Sequence, residues 1–286
     1  MSKINDKKSS LPPVLITGCS SGLGHALALK FVKEGYPTYA TARNVAAIDD
    51  LTHAGCQTLR LDVTEPSSIR QVVETIEDQY GAVGILINNA AIGLMTPMET
   101  VPIDVVRQQY ETNVFGLLAV TQAVIPGMRQ AGGGRIINVG SSGGEFTTPA
   151  GGVYQATKYA LCSMTDAMRM ELKGFHIDVV LIQPGAIASK FGHNGAVLGI
   201  EEGPYTQLMR GVTKITSQAL EPDALGTWTP DKLAQYIQRA SVSKRPKARY
   251  RPGFVAKALI YLRMYLPYRI WDNMFMSWLL KLGQQS

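Results

Sequence analysis

Thr17-Gly18-Cys19-Ser20-Ser21-Gly22-Leu23-Gly24 follows the apolar run Val14-Leu15-Ile16 and precedes His25-Ala26-Leu27-Ala28-Leu29-Lys30-Phe31-Val32. This order predicts a buried strand, a tight glycine turn and a helix. Small residues at such a turn let a diphosphate approach the backbone, and the free amides opening the helix give it a positive end to meet. The stretch is therefore a candidate nucleotide site. Taken alone it also reads as a plain strand-to-helix turn.

Working outward, more strands alternate with helices. Pro37-Thr38-Tyr39-Ala40-Thr41-Ala42-Arg43 reads as a second strand. Thr58-Leu59-Arg60-Leu61 is a third, running into Asp62-Val63-Thr64, and Val83-Gly84-Ile85-Leu86-Ile87 a fourth, closing on Asn88-Asn89-Ala90-Ala91. Arg135-Ile136-Ile137-Asn138-Val139 and Ile177-Asp178-Val179-Val180-Leu181-Ile182 follow, ending at Ser141-Ser142 and Pro184-Gly185, and Ala248-Arg249-Tyr250-Arg251 is a short last strand. Nearly continuous apolar runs belong to parallel strands covered on both faces. The predicted fold is α/β, a Rossmann-type doubly wound parallel sheet of about seven strands in three α/β/α layers. Gly18, Asn89, Ser141 and Pro184 then converge on one sheet edge, where such folds bind ligands.

Two features qualify that edge. The second strand ends without the carboxylate that would bind adenosine ribose hydroxyls, and Arg43 stands nearby, which favours NADP over NAD unless Arg43 is an ordinary surface residue. Asn88 and Asn89 either tie neighbouring strands together or are turn residues. Asn113, inside the long helical stretch Pro102 to Gln130, is out of place by propensity and invites a functional reading.

Composition narrows the class. The 286 residues, 45% hydrophobic and 17% charged, describe a globular chain with a substantial core. No stretch has the composition of an interdomain linker. Expected are a flexible N-terminus over 1–11, one catalytic domain over 12–253 and an extension over 254–286. Cys19, Cys56 and Cys162 are too scattered for a disulfide framework, and His25, His53, His176 and His193 form no ligand-spaced pair, so no metal is expected. The first eight residues lack a signal-peptide core, which predicts a cytoplasmic location. The net charge of +6 gathers between Lys244 and Arg251 and in the tail, without a nucleic-acid recognition motif.

The chemistry is carried by Tyr154 and Lys158, four residues apart on one predicted helix and so on one face. Tyrosine titrates near a pKa of about 10, and a neighbouring ammonium stabilises its phenolate. Such a tyrosine gives a proton to a forming alkoxide or takes one from an alcohol. Ser141 is placed to donate a hydrogen bond to the same substrate oxygen.

The glycine turn, Asn88-Asn89-Ala90, Ser141, Tyr154-x-x-x-Lys158 and Pro184-Gly185, in that order, resemble the classical short-chain dehydrogenase/reductase family, from about residue 12 to about 192. The resemblance implies that Tyr154 is the acid/base, that Lys158 binds the nicotinamide ribose and lowers the tyrosine pKa, and that Ser141 orients the carbonyl. It implies that Asn113 distorts its helix to hold a water in a proton relay. Gly18, Ser20, Ser21, Gly22, Leu23 and Gly24 would carry the diphosphate turn, Asp62 and Val63 the adenine region, and Asn89 and Ala90 the ribose side. Pro184, Gly185, Ile187 and Ser189 would lie against the nicotinamide end, and Arg43 sits where NADP-preferring members place a basic residue. No basic residue occupies Cys19, Ser20 or Ser21, where many such members have one. Ala91 departs from the glycine many members carry there. The turn Gly140 to Gly144 and the basic Lys244 to Arg251 stretch look most like the hydroxysteroid, retinol and acyl-dihydroxyacetone-phosphate reductase branch, implying a bulky apolar ketone, aldehyde or secondary alcohol. A homo-oligomer, dimer or tetramer, through the helices near Asn113 and Tyr154 is also implied.

Two segments complete the reading. Between Ala186 and Leu225 the periodicity weakens, which predicts a mobile substrate lid of short helices, with Phe191, Val197, Leu198, Tyr205, Leu208 and Met209 facing an apolar pocket or simply the core. From Phe254 to Leu282 aromatics and arginines interleave, suiting a helical cover over the pocket, a subunit contact or the membrane interface. The rival functions are NAD-dependent alcohol oxidation by the same residues, or a dinucleotide-sensing or membrane-attached interaction protein without turnover.

Overall fold

In the computed structural model, which describes residues 11–188, 202–221 and 224–284, β1 (Val14–Ile16) lies in the interior of a sheet ordered β3-β2-β1-β4-β5-β6-β7. Its partners are β2 (Thr38–Ala42), β3 (Gln57–Arg60), β4 (Ile85–Asn88), β5 (Gly134–Val139), β6 (Ile177–Ile182) and β7 (Arg249–Tyr250), and every pairing is parallel. Ends differ from the sequence expectation by one or two residues, the usual fraying of hydrogen-bond assignments.

The reason for the unbroken apolar runs is visible in β1. Val14 and Ile16 pack into one core with Leu27 and Phe31 of α1 (Gly22–Lys33) and Ile237 of α8 (Pro230–Ser241). Leu15 points the other way, into a second core with Val72 and Ile76 of α3 (Pro66–Tyr80) and Val124 of α5 (Leu117–Gln130). Alternate residues thus face opposite helical layers, and β1 is apolar on both faces. The expected three-layer doubly wound fold is what forms. A short α2 (Asp49–His53) joins β2 to β3, and α4 (Ile103–Tyr110) leads through a π-helical turn, Glu111–Gly116, into α5.

Across the sheet's middle, Asn88 Nδ2 donates to Asn138 Oδ1 and to Thr121 Oγ1, each at 2.9 Å, and Asn138 Nδ2 donates to Thr165 Oγ1 at 2.9 Å. All four residues are buried, so these bonds fix how β4, β5, α5 and α6 (Gly152–Glu171) sit together. Asn88 is therefore a strand tie rather than a turn residue.

The segment expected as a lid of short helices is, over its described later part, one helix of 15 residues, α7 (Thr206–Leu220). Leu208, Met209 and Val212 recur at helical spacing and bury against Leu279, which makes one long helix the better solution. Phe191, Val197 and Leu198 lie outside the described residues. The tail forms α9 (Phe254–Tyr265) and α10 (Tyr268–Gln284). At the α7–α10 crossing a Cβ on Gly211 would overlap the Leu279 carbonyl, and one on Gly283 the Gln207 carbonyl. Small residues permit this close approach, and Gln207 Nε2 locks it by donating to Leu280 O at 3.0 Å.

Candidate active site

The glycine turn opens a cleft of about 890 Å³ along the carboxyl ends of the strands. Gly18 (φ +74°) and Gly22 (φ +58°) adopt the left-handed backbone that side chains resist. A Cβ on Gly24 would collide with the Gly18 carbonyl, so helix and turn pack in direct backbone contact. The α1 N-cap, Ser21, makes no side-chain capping bond, and no acidic residue occupies the first turn. That is an anion-receiving helix end.

Asn89 holds this turn in place. Its Nδ2 donates to the carbonyls of Thr17 and Gly18, both at 2.9 Å, while Thr17 Oγ1 accepts from the backbone N–H of Asn89 and Ala90, both at 3.0 Å. Asn89 lines the cleft, yet its amide is used on the protein's own backbone, so it positions the glycine turn more than it reaches for a ribose. The bonding part played by Thr17 escaped the sequence reading. A hydroxyl at the first turn residue was the available signal.

Ser20, Ser21 and Leu23 of the turn, and Arg43, Asp62, Val63 and Ala90, also line the cleft. Asp62 Oδ1 accepts from Thr64 N and Thr64 Oγ1 at 2.9 and 2.8 Å, which with the nearby Arg43 and Arg60 charges holds its carboxyl below the ordinary range despite partial burial. Arg43 stands exposed at the rim.

At the other end, Ser141, Tyr154, Lys158, Pro184, Gly185 and Ile187 share the cleft. The Ser142 N–H donates to Pro184 O at 2.8 Å, and Ile187 bridges to Trp228, so the ends of β5 and β6 are fixed relative to one another. Ser189 lies outside the described residues. Ser141 Oγ accepts from Gly143 N at 3.1 Å and hydrogen-bonds the Tyr154 hydroxyl.

Burial acts on both members of the Tyr154–Lys158 pair. Burial pushes the Tyr154 hydroxyl up to about 12, and the Ser141 bond opposes this only in part. Burial likewise pushes Lys158 down to about 8. Its Nζ donates to Val139 O at 3.1 Å and lies 5.7 Å from the tyrosine ring centroid. Desolvation is the largest influence on each group, favouring the neutral tyrosine and the neutral lysine.

Asn113 is brought beside this site but does not line it. Only 1% exposed, it sits in the π-helical turn, accepting from Ile92 N at 2.8 Å and donating to Ile92 O at 2.8 Å and to Thr157 Oγ1 at 3.1 Å. The helix distortion expected around it is present.

The remaining cleft wall is apolar. Leu94, Met95, Phe146 and, from α7, Ile215 and Ala219 line it. Phe146 packs on Trp271, whose Nε1 donates to Thr147 O at 3.0 Å. Phe146 and the α7 residues escaped the sequence reading because nothing local marks them as neighbours of Tyr154.

A phenol hydrogen-bonded to a serine, a lysine one helical turn on, and a glycine cradle at the first strand match what comparison finds: the short chain dehydrogenase model covers residues 13–195. The chain belongs to the short-chain dehydrogenase family. As such it is an NAD(P)-dependent oxidoreductase. This dehydrogenase is similar to the 3-ketodihydrosphingosine reductase of Bacteroides thetaiotaomicron, 32% identical with 86% of this chain and 89% of that protein covered. It is 31% identical to the NADPH-dependent 3-dehydrocapnine reductase of Ornithobacterium rhinotracheale, with 95% and 99% covered. Among solved structures, a short-chain dehydrogenase from Streptomyces avermitilis superposes with a TM-score of 0.79 at 31% identity, over 89% of this chain and 93% of that one.

The cleft's residues fit a nicotinamide dinucleotide. The uncapped α1 start would receive a diphosphate, the Asp62 end an adenosine, and Lys158 and Ile187 a nicotinamide riboside.

Proposed function

We propose that this dehydrogenase is an NADP(H)-dependent reductase of a bulky, apolar ketone or aldehyde, working in reverse on the corresponding alcohol, secondary from a ketone. The observation that carries the reading is the Tyr154 hydroxyl bonded to Ser141, with Lys158 Nζ 5.7 Å from its ring centroid, in a cleft with an apolar wall. Bound there, the nicotinamide ring supplies or receives the hydride. Ser141 donates a hydrogen bond to the substrate oxygen and holds it. Tyr154 gives its proton to that oxygen as negative charge develops on it, and the Lys158 ammonium, still the main form at neutral pH, steadies the phenolate left behind.

Three roles rest on this reading. Asn113 holds the Ile92 backbone and Thr157 behind Tyr154 and serves the proton relay. Arg43 receives a 2′-phosphate, supported by its exposure at the rim and by Ala42 standing where a carboxylate would repel that group. The apolar wall of Leu94, Met95, Phe146 and Ile215 supports a substrate of the hydroxysteroid, retinoid or acyl-dihydroxyacetone-phosphate kind, and similarity to two enzymes named as ketone-type reductases supports reduction as the working direction.

A homo-oligomer is part of the proposal, supported by the exposed Phe115, Tyr159 and Met170 on the helical stretches near Asn113 and Tyr154. So is a cytoplasmic protein with peripheral membrane contact through 254–286. Among the described residues no helix is long and apolar enough to cross a membrane.

The test is Tyr154→Phe. Dinucleotide binding, followed by nicotinamide fluorescence, should persist while carbonyl reduction falls about 10²- to 10⁴-fold. Undiminished turnover would remove Tyr154 from the mechanism, and a wild type inert toward apolar carbonyls and alcohols would favour the non-catalytic rival.

A further inference from the structure

The inner and outer faces of the two tail helices have different uses. Inward, Ile260, Trp271, Phe275 and Leu279 are buried against Phe146 and α7, both of which line the cleft. Outward, more than half of all exposed large apolar side chains among the described residues belong to these helices. Phe254, Tyr265 and Tyr268 are 83%, 79% and 73% exposed, and Ile270, Met274 and Trp278 form a stripe at four-residue spacing along α10. A soluble surface does not ordinarily leave such a patch uncovered.

Charge decides what covers it. Residues 254–284 contain Lys257, Arg263, Arg269 and Lys281 against the single acid Asp272. Arg263 stacks over Tyr268 at 3.8 Å, while Lys257, Arg269 and Lys281 are exposed. Face-to-face contact with a second copy would set cation against cation, because a two-fold contact pairs a patch with itself. An anionic lipid surface complements both the cations and the amphipathic tyrosines and tryptophan, which prefer the headgroup zone. With no crossing helix among the described residues, the arrangement suits lying on a bilayer.

We infer that the outer face of α9 and α10 docks on anionic phospholipid bilayers, which deepens the peripheral contact proposed above and, resting on the apolar-substrate reading, sets the cleft wall beside the phase where such a substrate dissolves.

The test uses the full chain and vesicles of phosphatidylcholine with or without phosphatidylglycerol. Flotation should show binding only to the anionic vesicles, with Trp278 emission shifting to the blue and quenched by brominated acyl chains. The Arg269→Gln/Lys281→Gln protein should bind roughly fivefold more weakly per cation removed. The Tyr265→Ser/Trp278→Ser protein should bind about tenfold or more weakly. Dinucleotide titration and reduction of a water-soluble aldehyde should be unchanged in both, so a failure of the catalytic reading appears in those assays and a failure of docking in flotation. Absent vesicle binding, binding indifferent to both double substitutions, or a dimer mass that falls to monomer in the Tyr265/Trp278 variant would overturn the inference, the last by assigning the face to a second copy.

Discussion

The Asn113 carboxamide grips the backbone of Ile92 from both sides, accepting its N–H and donating to its carbonyl, each at 2.8 Å. A third bond, to Thr157 Oγ1, ties the same amide to the helix that bears Tyr154 and Lys158. The π-helical turn places the amide where a regular helix would not.

Asn113→Ala should therefore act on both stability and rate. Leaving the part-buried Ile92 N–H and carbonyl without their Asn113 partners costs about 1–3 kcal/mol in all. A lowered urea midpoint together with a reduced kcat and little change in dinucleotide affinity is the expected outcome. Unchanged kcat in a folded variant would restrict Asn113 to a structural role.

Backbone contact at the glycine turn gives a sharp contrast. Gly24→Ala forces a methyl group onto the Gly18 carbonyl and should abolish measurable dinucleotide binding, whereas Gly174, with nothing near its missing Cβ, should accept alanine within about 0.5 kcal/mol. Calorimetric titration of both proteins with NADPH checks this, and tight binding by the Gly24 variant would contradict the cradle geometry.

The phosphate-binding role proposed for Arg43 is open to direct test. A charge-assisted bond to a 2′-phosphate is worth about 1.5–3 kcal/mol, so Arg43→Gln should weaken NADPH roughly 10- to 100-fold and leave NADH nearly unaffected. Equal losses for both dinucleotides would place Arg43 outside phosphate recognition and revive the NAD-dependent alternative.

Lys158 makes a prediction about pH. Its pKa falls from 10.5 to about 8 on folding, because burial disfavours the ammonium. Between those values the unfolded chain binds the proton and the native one does not, so this residue's contribution makes stability rise with pH from about 8 to about 10.5; below 8 both forms are charged and its destabilisation is constant. Urea unfolding of the protein at pH 7.5 and pH 9.5, beside Lys158→Met, should show a rise on the order of 1–3 kcal/mol that the variant lacks. The Tyr154 shift, upward from 10 to about 12, works oppositely, lowering stability above pH 10, outside that comparison.

Much of this protein was legible in its sequence because the signals were local. Val14-Leu15-Ile16 is apolar throughout because β1 is covered on two faces, and Thr17 to Gly24 must be small because a helix start and a strand end meet there. Tyr154 and Lys158 share a helix face by spacing alone, and Ser141 falls at a strand end by alternation. Those facts determined the fold, the cleft's edge and the placing of the proposed acid/base pair.

Tertiary structure decided what depends on distant partners. Asn113 could be singled out by propensity, but Ile92 as its partner could not, being joined to it only through the path of the chain between them. Burial is the largest influence on the Tyr154 hydroxyl, and spacing does not report it. The segment after Ala186 looked like short helices because Gly211 weakens its pattern, yet that glycine is what lets α7 lie against α10 and complete the apolar wall. Sequence fixes conformations within a few residues, whereas desolvation and close packing arise only when remote segments exclude water together.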